Sequence, residues 1–256
     1  MDEKRVMNSL RLIGMVYKPV LDDSSQYVIP QAIEMIRVTK DQYDWAIRNR
    51  SRGFQPEPWG YTIQHDNPIR FTSVEVPNSV EMQVDVYCNV RWAEQDIPVV
   101  QDIKVRVWSK HNETIFDAER DSQNILDELT RADRIHHGRV VSRLHFDKAN
   151  LNPNTRSAYQ PEYHVQFGGT SETYELCWHP KKVNVPRLNH QPLELFLVCQ
   201  IIAANFFPEI YRDQIREKAE WRQELIHYQN LILRGYYEKC LNVIDARDSL
   251  LDALCV

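Results

Sequence analysis

The chain has 256 residues, enough for one large domain or a domain with a helical extension, and its 43% hydrophobic content suffices for a core. A formal net charge of −5 argues against a general polyanion binder, because non-specific affinity for nucleic acid rests on many Lys and Arg contacts to phosphate. Seven glycines form neither GxGxxG nor a GxxxxGK loop, and HExxH, GxSxG and zinc-finger spacings are absent, which removes the usual phosphate cradles and several hydrolase classes.

From Glu3 to about Val16, Val6, Leu10, Ile13 and Tyr17 recur at helical spacing and predict an amphipathic docking helix stopped by Pro19. The next apolar run, YVIPQAIEMIRV, fits a strand or a short helix. Thr39 and Gln42 then read as a capping box opening a helix that carries Tyr43, Trp45 and Ile47. Residues 51 to 68, loaded with Pro, Gly and aromatics, read as an ordered loop laid over the core.

The predicted sheet begins at Arg70, with a first strand over about 70 to 92. From Val80 to Trp92 apolar and polar residues alternate, with Val84, Val86, Cys88 and Val90 on one face and Asp85, Tyr87, Asn89 and Arg91 on the other. Residues 99 to 110 repeat the pattern, with Ile103, Val105 and Val107 inward and Asp102, Lys104, Arg106 and Trp108 outward. The short connection between the two runs predicts an antiparallel hairpin. A charged helix is expected over about 114 to 133, ended at Gly138, and further strands over 139 to 147, 162 to 168 and 173 to 179. The Asn- and Pro-rich segment between the first two of these strands reads as a long loop.

PRLNHQP marks a turn into a buried helix over 193 to 206, which is too short and too polar, with Glu194, Gln200 and Asn205, for an ordinary membrane span. Beyond Pro208 the chain reads as helical, broken near Gly235. Its stripe of Tyr211, Ile215, Ala219, Leu225 and Ile232 packs on the same domain or on another subunit, with Trp221 as an exposed aromatic among Arg212, Arg216 and Arg222. The expected organisation is an α+β fold: residues 1–207 hold a mostly antiparallel sheet packed against helices, and residues 208–256 a helical C-terminal extension that packs on it or forms an oligomer interface. Five widely spaced cysteines without a CxxC pair, and an N-terminus without a signal-peptide pattern, lead to the expectation of a cytoplasmic protein with no membrane partner.

The functional argument rests on the polar sheet face. His145 and Asp147 share a face of one strand, His164 and Gln166 of the next, and Glu175, Cys177 and His179 of a third. One reading takes this face as a binding platform for a nucleic acid or a partner protein, without catalysis and without a cofactor. There Tyr87, Arg91, Lys104, Arg106, Trp108, Arg143 and Gln166 combine cations with flat rings. The alternative takes His145, Asp147, His164 and His179 as ligands of a divalent metal such as zinc or manganese, or His145, Asp147 and His164 as catalytic groups of a phosphoesterase or nuclease. Ordinary half-exposed sheets also alternate in this way, so the pattern alone does not decide. Asp85 and Asp102 as a polymerase-type metal pair are set aside for want of a DxD or a Gly-Ser phosphate turn.

The segments HFD, YHVQFGG, PRLNHQP and IAANFFP, within residues 145 to 207 and about a quarter of the chain, resemble an uncharacterised bacterial family. Its members carry a similar H-x-Q-x-G-G strand, a Pro-Arg turn and a buried helix ending in N-F-F-P. Such families are often encoded beside mobile-element or phage-defence genes. The resemblance implies a component of a multi-protein, antiviral-defence type of system working with a partner, and it names no activity.

Overall fold

The structure is a computed structural model that describes residues 2–72, 82–94, 98–109, 139–149, 163–167 and 187–245. The expected helix over 114 to 133, the strand over 173 to 179 with Glu175, Cys177 and His179, and the expected loop from residue 150 on lie outside the described residues.

The fold is α+β, with a mostly antiparallel sheet, packed helices and a helical C-terminal region. Helix α1, Glu3–Val16, is opened by Asp2, whose carboxylate accepts the Lys4 N–H, and buries Val6, Leu10 and Ile13 along the anticipated stripe. Helix α2, Ser25–Arg48, corrects the reading of two elements: it runs for 24 residues with Pro30 inside it. Burial of Val28, Ile29, Ala32, Ile33 and Ile36 holds one helix across a residue that would end it on propensity alone. Thr39 is therefore in mid-helix and caps nothing. Its hydroxyl donates to the Met35 carbonyl at 2.8 Å and accepts the Gly60 N–H at 3.0 Å, tying the helix to the sheet edge.

Among the described residues seven strands form one sheet: β1 Trp59–Ile63, β2 Ile69–Thr72, β3 Met82–Trp92, β4 Val100–Ser109, β5 Arg139–Lys148, β6 Tyr163–Phe167 and β7 Arg187–Asn189. Their order is β1-β3-β4-β5-β6-β7, with β2 also paired to β3, and every pairing is antiparallel. The run expected as one strand over about 70 to 92 is two, β2 and β3, which lie antiparallel to each other, and two further strands were hidden in the sequence. The stretch read as an aromatic loop contains β1, and the stretch read as a proline-marked turn contains β7. Gly60 permits the first: a Cβ there would meet the Val90 carbonyl oxygen at 2.1 Å, so only glycine lets β1 lie this close to β3.

The apolar face carries Val84, Val86, Cys88, Val90, Trp92, Ile103, Val105, Val107 and Phe146, all buried, as the alternation predicts. Against this side pack α1, α2 and helix α3, Leu195–Phe206, of which Leu195, Phe196, Val198, Cys199, Ile202 and Ala203 are buried. Among the described residues no single helix is long and apolar enough to cross a membrane. Leu195–Phe206 with Pro208–Ile215 reaches the length only across a 116° bend.

The C-terminal region continues through a π-helical stretch, Tyr211–Ile215, helix α4, Ala219–Tyr228, a second π-helical stretch, Gln229–Leu233, and helix α5, Arg234–Asp245. Gly235 does not break it; it lies inside α5, and the interruption falls at 216–218 instead. Trp221 is not exposed either. It is 6% accessible and its ring meets Tyr211 edge-on, because the arginines around it in sequence turn outward while α4 packs inward. That packing is specific: Arg5 pairs with Glu224 at 2.5 Å, and Lys218 Nζ donates to the Val16 carbonyl at 2.9 Å, capping the C-terminus of α1 with a cation.

Candidate functional site

Antiparallel pairing sets residues directly opposite one another on a common face, so the β4, β5 and β6 registers fix what meets on the polar side of the sheet. One row reads Asp102, Asp147, His164. The next reads Lys104, His145, Gln166, and a third sets Arg106 against Arg143. The histidines His145 and His164 are thus not opposite each other. They are offset by two residues, with Asp147 beside both.

His145 Nε2 stands 2.6 Å from Asp102 Oδ1 and 2.8 Å from Asp147 Oδ1. His164 Nε2 lies 3.8 Å from Asp147 Oδ2 on the far side. The side chains of Asp102, His145 and Asp147 are 36%, 20% and 19% accessible, while that of His164 is 2% accessible. The first three can therefore be reached from solvent and the fourth backs them from the interior. Burial alone draws the His145 pKa down, but its hydrogen bonds to Asp102 and Asp147 outweigh this and raise it above the ordinary histidine value. Burial pushes the Asp102 carboxyl up, and the hydrogen bonds from His145 and from Lys104 Nζ, 3.0 Å away, hold it below the usual carboxylate range.

Of the anticipated metal set, His145 and Asp147 meet, His164 stands behind Asp147, and His179 lies outside the described residues. The third group close to them is Asp102, which sequence reasoning weighed as a metal ligand only in a pair with Asp85. Asp85 is elsewhere, salt-bridged to Arg70 at 2.9 Å and accepting from Trp108 Nε1 at 3.0 Å. The signal for Asp102 was present in the alternation of β4. What was missing was the knowledge that β4 and β5 are neighbours, since the segment between them in sequence spans 29 residues, 110–138.

The anticipated binding platform is distributed differently. Arg106, Arg143 and Trp108 are 3%, 6% and 7% accessible, so they do not present an open stacking surface. Tyr87 is half-buried, with Arg106 Cζ 4.8 Å and Lys104 Nζ 5.9 Å from its ring centroid. Arg91 donates to Thr62 Oγ1 at 2.9 Å, and Gln166 sits across from His145. Comparison with protein-family models, with curated proteins and with solved structures finds no match to this chain, so the reading of the site stands on its geometry.

Proposed function

We propose that the chain holds one divalent transition-metal ion, zinc or manganese, between Asp102, His145 and Asp147, and acts with it on the phosphoester bond of an anionic substrate. The observation that supports this is one imidazole nitrogen facing two carboxylates at 2.6 and 2.8 Å. Such a nitrogen carries at most one hydrogen, so two acceptors compete for it. A cation on the same spot satisfies all three groups.

The fit is close. The ligating atoms lie within 4.8 Å of one another, and a tetrahedral ion with bonds of about 2.0–2.2 Å holds its ligands roughly 3.3 Å apart, so the pairs to His145 open by less than about an ångström. Imidazole and carboxylate are ligands that suit zinc and manganese, and three protein ligands leave a coordination position for substrate. A bound ion there supplies Lewis-acid polarisation of a phosphoryl oxygen and acidification of a bound water. The chain's own residues orient this chemistry: His164 steadies Asp147 from the interior, and Lys104, across the ladder from His145, places a cation beside the carboxylates.

Activity is the test. Tag-free protein incubated with a generic phosphodiester and manganese or zinc is expected to turn over, with loss on chelation and a fall of about 100-fold or more in His145→Ala. Equal rates for wild type and variant would contradict the proposal. A non-catalytic role in binding a nucleic acid or partner protein uses the same face, and it is the weaker reading because the flat ring of Trp108 is buried and Arg106 is engaged by Asp85 and the His65 carbonyl.

A further inference from the structure

Beside the acidic row, three cations gather around Tyr87. Lys104 and Arg106 approach its ring, and Arg143 Nη2 donates to its hydroxyl at 3.3 Å. Lys104 is bonded to Asp102 at 3.0 Å, and Arg106 lies 3.6 Å from Asp85 and donates to the His65 carbonyl at 2.8 Å. Arg143 differs from both. No carboxylate neutralises it among the described residues, and its Nε and Nη1 groups have no hydrogen-bond partner although the residue is only 6% accessible.

Arg143 also stands directly opposite Arg106 in the β4–β5 ladder, an arrangement of like charges that is destabilising by itself. The carboxylate nearest in the ladder does not relieve it. Asp85 is already engaged by Arg70, Gln83, Trp108 and Arg106. A buried guanidinium with two donor nitrogens unused is costly unless an anion meets it, because the desolvation of their N–H groups goes uncompensated.

We infer that Arg143, Lys104 and the Tyr87 hydroxyl form a subsite for a tetrahedral oxyanion, the phosphoryl group of the substrate, adjoining Asp102, His145 and Asp147. Lys104 joins the two halves: it lies across from His145 and bonds Asp102. Arginine suits this position because its planar, permanently charged fork offers several donors to phosphate oxygens. The word phosphoryl rests on the proposed function, whereas anion binding by Arg143 does not, and the two are separable by experiment.

The test uses metal-free protein, dialysed against a chelator and titrated calorimetrically with orthophosphate. Saturable binding of one phosphate per chain is expected, weakened about 10- to 100-fold in Arg143→Gln, the range for losing charge-assisted hydrogen bonds. A second readout keeps the test valid if that variant fails to fold. In the wild type, the Arg143 Nε–H resonance, assigned by its disappearance in Arg143→Lys, is expected to shift with phosphate at the same midpoint. Absence of saturable binding, undiminished binding by folded Arg143→Gln, or an unmoved Nε–H resonance would overturn the subsite. Zinc titration of the same samples separates the claims: zinc binding without phosphate binding overturns the subsite alone, and phosphate binding without zinc binding overturns the metal site alone.

Discussion

Partial burial of Asp102 and complete burial of Glu194 both act to raise a carboxyl pKa, yet the two groups are driven in opposite directions. For Asp102, on the polar side of the sheet, burial is outweighed by the hydrogen bonds from His145 and Lys104, and its pKa falls below the usual carboxylate range. For Glu194, on the helical side, burial dominates and pushes it up to about 7, and it is opposed only by hydrogen bonds such as those from the hydroxyls of Tyr228 and Ser9, while the nearby Glu224 pushes it further up. The Tyr228 hydroxyl, 2.8 Å from Ser9 Oγ, joins α1, the start of α3 and α4 in one network. Cationic neighbours keep a carboxylate charged and able to exchange its partner for a metal. Neutral neighbours make a carboxyl group hold its proton and serve as a structural tie.

This contrast breaks most visibly at Tyr228, which is 1% accessible and stacks on Phe196 with ring centroids 6.0 Å apart. Tyr228→Ala is expected to cost roughly 3–5 kcal/mol in urea unfolding while leaving zinc affinity of the folded protein unchanged. A parallel loss of zinc affinity would show that the two clusters are not independent. Glu194 sharpens the contrast next. Its folded pKa of about 7 exceeds the unfolded value, so the folded state binds the extra proton and stability falls as pH rises from roughly 4.5 to 7, by a total of about 3 kcal/mol. Above that window the dependence ends. Glu194→Gln stays neutral, so the stability difference between wild type and variant should change across the window and level off beyond it; curves that run parallel from pH 5 to 8 would refute the assignment.

Much of this was legible in the residues. The stripe of α1 and the alternation of β3 and β4 located the core, and alternation alone put His145 with Asp147 and His164 with Gln166. Local signals failed where long-range contacts decided the outcome. Pro30 is carried within α2 by the burial around it, and the apparent cap at Thr39 is a tie to Gly60. Strand β1 was masked by prolines and aromatics that mark loops elsewhere, and Trp221 by exposed arginines beside it in sequence. Asp102 was weighed with the wrong partner, Asp85, for the same reason: membership of a site is fixed by strand neighbours, and where strands are joined by a long segment, as β4 and β5 are, neither residue spacing nor propensity encodes their pairing.

The smallest expected effect concerns His164, which touches Asp147 from the interior rather than from the open side. His164→Gln should weaken zinc binding by about 10-fold with little change in stoichiometry, the usual consequence of loosening a ligand's support. No change at all would place Asp147 beyond the reach of His164. The central claim, that Asp102 and not a second histidine completes the set with His145 and Asp147, is tested most directly by metal analysis of tag-free protein after equilibration with zinc and gel filtration. One ion per chain in the wild type, lost in Asp102→Asn with unchanged circular dichroism, is the predicted result; a wild type that retains no metal, or an Asp102→Asn variant that retains as much, would contradict it.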